Sequence, residues 1–311
     1  MHKRFVNHCT IDLTISPDGP ILIKSGKEGA DPTKPDMEFV ETYHQGRRFV
    51  YLPGSSLKGA IRAHAERIVR TVGKEKGPGE LWANDPLNDK YKYLEQKSPP
   101  DIYKLSSFTD RIFGNTSMAS RIRIEDAYPE SNSLKLEERN GVAIDRVFGS
   151  VAFGPFNYQV CTAGEFNTKI HLKNFTLAQL GLIGLVLRDL NEGWFGLGFA
   201  KSRGLGVVSV RLNSAVVRYP GCIIKDDRIQ LLGGKKTWSA TQLLGVGEFL
   251  AEEERSAYGF PRSDETKTPV KAASMDLGFG VELCWTGTVE VKDLFIRSVG
   301  AWRSLVEAQQ K

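Results

Sequence analysis

The sequence predicts an α+β protein whose core follows the β-α-β-β-α-β, ferredoxin-like order. Three observations predict it. Cys9, Ile11, Leu13 and Ile15 alternate with Thr10, Asp12, Thr14 and Ser16, the period of a half-buried strand. Leu57, Ile61, Ala65, Ile68, Val69 and Val72 recur at helical spacing. Thr176-Leu177-Ala178-Gln179 has capping-box spacing and opens a second, very apolar helix through Leu190, after which Val208, Val210 and Leu212 mark a last strand.

The elements follow in order. After the first strand, residues 19–46 are rich in Gly, Pro and Asp and too long for a simple connection. Phe49-Val50-Tyr51-Leu52 reads as a strand that Pro53 ends, and Ser55 or Ser56 is the expected cap of the first helix. Residues 73–110 are polar and punctuated by Pro and Gly, so they read as an insertion rather than core. Arg121 to Asp126 returns to strand alternation. Residues 140–165 alternate but are broken by Gly149, Gly154 and Pro155, the pattern of a long protruding hairpin. Phe166, Thr168, Ile170 and Leu172 form the next strand. These boundaries place one RRM-like domain at 1–213 and a C-terminal extension at 214–311, packed on the core or on a neighbouring subunit. Leu243, Leu244, Phe249, Leu294, Phe295 and Trp302 are the apolar residues expected to make that contact.

Composition bounds the function. The chain has 311 residues, 41% hydrophobic and 25% charged, ordinary for a soluble globular protein. A formal net charge of +5 permits an RNA partner without demanding one. Cys9, Cys161, Cys222 and Cys284 are scattered without zinc-binding spacing, and buried thiols in a reducing cytosol are expected. The most apolar stretch contains Arg188 and Asp189 and is too short to span a bilayer. A cytoplasmic location is expected.

Two motifs carry the chemistry. In Pro53-Gly54-Ser55-Ser56-Leu57-Lys58-Gly59 a turn opens a basic helix, so first-turn N–H groups, with Lys58 and Arg62 at i and i+4, can face one phosphate backbone. The alternative is a plain strand-turn-helix with a solvated basic face. The second motif runs from Gly193 through Trp194, Phe195, Gly196, Leu197, Gly198, Phe199, Ala200, Lys201, Ser202, Arg203, Gly204 and Leu205 to Gly206. It follows a helix and opens a strand, the reverse of a dinucleotide fingerprint, and it lacks a Walker helix start. Its glycines allow close backbone approach to a ligand, with Lys201 and Arg203 supplying charge. The alternative is a flexible connection.

Together, in this order, the two motifs resemble the RAMP superfamily of CRISPR proteins, specifically backbone subunits of type III effector complexes of a III-D-like branch. Arg111-Ile112-Phe113-Gly114-Asn115 resembles the family's short Phe-Gly segment, and Ala143-Ile144-Asp145-Arg146 resembles the opening of its protruding thumb. The resemblance covers about residues 9–212. It implies that Ser55, Ser56, Lys58 and Arg62 grip a guide RNA and that Gly196, Gly198, Lys201, Ser202, Arg203 and Gly204 cover it. It also implies that a thumb with Arg146, Phe148, Phe153 and Phe156 wedges into the guide–target duplex. Other RAMP subunits, guide RNA and target RNA are the implied partners.

In catalytic members of the family an Asp in the first strand–helix loop cuts target RNA. Asp36 best matches that position, and Asp31 is the runner-up. The implied activity is a metal-dependent endoribonuclease using Mg²⁺ or another divalent ion, with Asp36 a possible metal ligand and no organic cofactor. Read without the resemblance, an Asp in a Pro-rich turn caps its own backbone. Three rivals remain: a non-catalytic guide-binding subunit, a repeat-RNA processing endonuclease whose general base is His44 or His64, and a plain RNA-binding module. No Gly-Gly-Asp-Asp motif is present, which excludes the large signalling subunit.

Overall fold

The computed structural model describes residues 4–26, 34–44, 46–74, 77, 81–87, 91–130 and 133–310. Its main elements are β1 (His8–Pro17), α1 (Gly54–Val72), β2 (Ile122–Ile124), β3 (Lys135–Ile144), β4 (Val151–Ala163), β5 (Phe166–Lys173), α2 (Leu177–Asn191), β6 (Val208–Tyr219), β7 (Val281–Thr286) and α3 (Gly287–Gln310). The central sheet is antiparallel, with spatial order β7-β6-β1-β5-β2. Within it, β6-β1-β5-β2 is the ferredoxin-like core expected from the sequence, and β3 and β4 pair separately as a long hairpin.

Burial explains the register. Cys9, Ile11 and Ile15 of β1 sit opposite Leu172, Ile170 and Phe166 of β5, and all six are buried. A slip by one residue would turn that whole set to water. The opposite face of the sheet carries polar side chains, among them Thr10, Asp12, Lys169 and His171. The apolar α2 is buried on nearly every side because α1, α3 and the sheet surround it. Its Thr176–Gln179 capping box forms as the spacing predicts.

The structure revises several expectations. β7 extends the sheet beside β6, from Val281 opposite Tyr219 to Thr286 opposite Ser214, and α3 packs on α2. Leu243, Leu244, Phe249, Leu294, Phe295 and Trp302 are buried in the chain's own core. The insertion is not purely polar either: Leu81 and Phe108 join the main core, and Tyr103 anchors a smaller cluster. The hairpin starts at Lys135, because an arm exposed on both faces has no apolar alternation to mark its beginning. Cys284 is exposed, while Cys9, Cys161 and Cys222 are buried. Among the described residues no helix is long and apolar enough to cross a membrane.

Candidate nucleic-acid interface

Four segments distant in sequence meet at one end of the sheet, where β1 ends and β5 and β6 begin. A ladder of backbone hydrogen bonds joins them. Gly206 N donates to Pro20 O (2.9 Å) and Phe199 N to Leu22 O (2.7 Å), so the glycine loop lies along the chain leaving β1. Val40 N then donates to Ile23 O, and Ser25 N to Glu38 O, each at 2.9 Å. Gln159 N of β4 donates to Met37 O at 3.0 Å, and Ile21 exchanges two hydrogen bonds with Cys161 at the base of the hairpin. The glycine loop, the Asp36 segment and the hairpin are thus parts of one frame.

Within the glycine loop the glycines divide by role. Gly198, at φ +80°, leaves no room for a side chain: a Cβ there would come within 2.2 Å of Leu22 O. Gly196 lies against Gly206, with a Cβ-to-carbonyl distance of 2.9 Å. Their smallness serves the loop's own packing. Gly204 differs, since φ is +83° and nothing lies within 4 Å of a Cβ. Lys201, Ser202, Arg203 and Gly204 are all exposed on a single 3₁₀ turn. The Arg203 guanidinium rests 5.0 Å from the Phe199 ring centroid, which orients the charge without neutralising it.

The loop is also tied to α1 through residues the motif alone does not reveal. Phe195 stacks on His64 at 4.3 Å, and His64 Nε2 lies 2.7 Å from Asp189 Oδ2 on α2. Asp189 O accepts the N–H of Trp194 at 2.9 Å. His64 is buried by this arrangement, which removes it as an RNA general base. His44 stacks on Tyr128 at 3.9 Å.

The hairpin projects with an apolar tip. Asp145 Oδ1 accepts N–H groups from Val147 and Phe148, both at 2.8 Å, and this fixes the turn carrying Arg146. Phe148 is 83% and Phe153 73% exposed, and Val147 and Ile144 are exposed beside them. Phe156 is only partly exposed and packs near Tyr158. Asp36 sits against this arm: its Oδ2 accepts the Asn157 N–H at 2.8 Å. Asp31 lies outside the described residues.

At α1 the cap differs from expectation. Neither Ser55 nor Ser56 caps the helix; Pro53 is the N-cap residue, and Gly54 N donates to Asp126 Oδ1 at 2.7 Å. A carboxylate from beyond β2 therefore already complements the helix dipole. Ser55 is exposed and Ser56 partly so. Lys58 Nζ donates to Ser120 Oγ at 2.9 Å, and burial, then the nearby Arg62 charge, lowers its pKa. Arg62 is used internally, bonding Glu66 (2.8 Å), Gly114 O (2.9 Å) and the buried Asp110 (2.8 Å). The Asp110 pKa is raised, burial outweighing its hydrogen bonds. Lys58 and Arg62 share a helix face, but only Lys58 keeps a neutral, exchangeable partner.

Among the described residues no group of three or more His, Cys, Asp and Glu side chains could hold a metal ion. A hydrated Mg²⁺ needs only one or two carboxylates when phosphate oxygens complete its shell. Asp36, with one oxygen on Asn157 and no other protein partner among the described residues, fits that minimal donor set.

The family model of the RAMP superfamily matches residues 14–209, which span β1 to the start of β6 and include all four converging segments. Comparison with curated protein sequences gives no match.

Proposed function

The chain belongs to the RAMP superfamily, and from that premise we propose that it is a guide-RNA-binding backbone subunit of a type III, III-D-like CRISPR effector complex that cleaves complementary target RNA at Asp36. The observation that carries this reading is the backbone ladder, which puts exposed loop cations, a loop carboxylate and an apolar-tipped hairpin into one frame. Membership alone points to a CRISPR-associated RNA-binding subunit.

Each part has a physical role. Lys201 and Arg203 supply charge for a phosphate backbone, and exposed Gly204 lets that backbone come close. Lys58 can exchange its Ser120 partner for a phosphate. Phe148 and Val147 at the tip suit insertion between base pairs, where an apolar wedge unstacks one step. Opening one step frees a nucleotide from helical geometry. Its 2′-hydroxyl can then lie in line with the adjacent phosphate, a large part of the barrier when held in place. Asp36, braced on the hairpin, would take the hydroxyl proton or hold a hydrated Mg²⁺. When bound, that ion would neutralise charge developing on the phosphate.

A second reading has one observation in its favour. The Asn157–Asp36 hydrogen bond gives the carboxylate a structural task, as in a guide-binding scaffold without cleavage. Assay of the assembled complex with a complementary RNA and Mg²⁺ separates the two. Asp36-dependent products ending in 2′,3′-cyclic phosphate support cleavage, and an intact target strand leaves the scaffold.

A further inference from the structure

We infer that the cavity between the start of α2, α3 and the Phe-Gly segment binds a nucleotide 5′-phosphomonoester, with Arg111 and Arg121 holding the phosphate and Tyr103 and Phe260 facing the base. The inference uses no residue of the RNA frame and does not depend on guide binding.

Unpaired charge carries it. Arg121 is 4% exposed, just before β2. Its Nη1 donates to Asn174 O at 2.6 Å and to Tyr103 Oη at 3.2 Å, while Nη2 is buried without a partner. Arg111 lies in the short helix Asp110–Phe113. It donates from Nε to Ser106 O at 3.1 Å and from Nη2 to Lys104 O at 2.8 Å. Neither guanidinium pairs with a carboxylate among the described residues, and the neighbouring Asp110 is held by Arg62. Burial lowers the Arg111 pKa, and the adjacent Arg121 charge adds to that effect. Guanidiniums stay charged in proteins, and buried charge needs a partner to offset its lost hydration. An anion is the partner that two adjacent, unpaired guanidiniums fit.

Tyr103 joins the two cations. Its ring centroid lies 4.2 Å from the Arg121 guanidinium and 5.3 Å from that of Arg111. Its Oη accepts from Arg121 and, at 3.3 Å, from Gln179 Nε2. The phenol proton therefore has no acceptor among the described residues and is left to donate. Two cations and a free hydroxyl donor suit a phosphomonoester, which carries nearly two negative charges at neutral pH.

The cavity suits the rest of a nucleotide. It encloses about 700 Å³, with Tyr103, Phe108, Arg111 and Phe260 in its lining. Small-molecule sites span roughly 300–1,000 Å³ and are mostly apolar with a few polar groups. The Tyr103 and Phe260 rings lie 5.0 Å apart and form an aromatic wall for a base. Asp264 and Glu265 also line the cavity, as acceptors for N–H groups on a base edge. The site lies where α2 begins, at the opposite end of β5 from the glycine loop. The eight residues of β5 span about 26 Å at about 3.3 Å each. A ligand here would tie Arg111, in the segment that resembles the family's Phe-Gly motif, to α3 of the C-terminal extension.

Calorimetric titration of the full chain with cytidine, uridine, adenosine and guanosine 5′-monophosphates tests this. A Lys201→Ala/Arg203→Ala background keeps the RNA frame from contributing. The tightest nucleotide should bind at least about tenfold more tightly than its nucleoside or inorganic phosphate. Arg111→Met should lower that affinity about a hundredfold yet melt no lower than its parent without ligand, because it removes a buried, unpaired charge. Tyr103→Phe keeps the ring, should cost about tenfold in affinity, and decides the matter should Arg111→Met fold poorly. A short 5′-phosphorylated oligoribonucleotide separates the two sources. Arg111-dependent binding tighter than that of the mononucleotide identifies a strand end, and weaker binding identifies the free nucleotide. Nucleotide affinity no better than that of nucleoside and phosphate would overturn the inference. So would affinity undiminished in both the Arg111→Met and Tyr103→Phe chains.

Discussion

The Asn157 N–H donates to the Asp36 carboxylate at 2.8 Å across 121 residues of sequence, fastening the candidate catalytic loop to the projecting hairpin. The bond allows two roles for one carboxylate, bracing and chemistry, and a pair of substitutions separates them.

Asp36→Asn keeps an oxygen to accept the Asn157 N–H but removes the charge, whereas Asp36→Ala removes both. Target cleavage should fall about a hundredfold or more in each, with guide binding unchanged. Thermal denaturation should show little loss for the Asn variant. Cleavage at the wild-type rate by Asp36→Asn would reduce the carboxylate to a brace.

Lys201→Ala/Arg203→Ala should weaken RNA binding and flatten its salt dependence. Each lost contact to single-stranded RNA lowers the slope of log affinity against log salt by about 0.7, so the pair should lower it by about 1.4. Arg62→Ala is the contrast. It leaves the buried Asp110 without its cation, while Glu66 keeps Arg70, so stability should fall by about 3 kcal/mol while the salt slope of the folded protein stays within error.

Gly198→Ala and Gly204→Ala put the same methyl group into two left-handed positions. At Gly204 only backbone strain opposes it, about 1 kcal/mol. At Gly198 it also meets Leu22 O and must push the glycine loop away from the β1 exit. Chemical denaturation should therefore find the Gly198 variant clearly the less stable. Equal losses would mean that the loop is not held as described.

Asp264, buried beneath the N-terminus of α2, has its pKa pushed up to about 7 by burial, against hydrogen bonds from Leu177 and Gly247 N–H groups. The folded value exceeds the unfolded value near 4, so the native state binds the extra proton and stability falls as pH rises from about 4 to about 7. Asp264→Asn lacks this titration. The wild type should lose melting temperature relative to the variant across that window and hold a constant difference above it. A difference independent of pH would show that Asp264 is ionised throughout.

How much of this was legible in the sequence depended on whether the determinant was local. The alternation of β1, the apolar face of α1 and the Thr176–Gln179 box are properties of neighbouring residues, and each led to its element. The helix cap was not legible, because Asp126 arrives from 72 residues away and nothing near Ser55 announces it. Arg62 looked free for the same reason, its partner Asp110 being 48 residues distant. The glycine loop was legible as a glycine-rich, cation-bearing turn, but the part each glycine plays was not. Glycine reports that space is needed, and only packing shows that Gly198 gives it to Leu22 and Gly204 to solvent. The C-terminal apolar residues left core and neighbour both open, because composition does not say which surface they join.

The most direct measurement is the nucleic acid that the assembled protein retains, extracted and sequenced for wild type and for a Lys201→Glu/Arg203→Glu variant. The account predicts CRISPR-derived guide RNA in the wild-type assembly and its loss in the variant, with the fold intact by circular dichroism. Wild-type protein without such RNA, or a variant that retains it equally well, would contradict the placement of guide RNA at this end of the sheet.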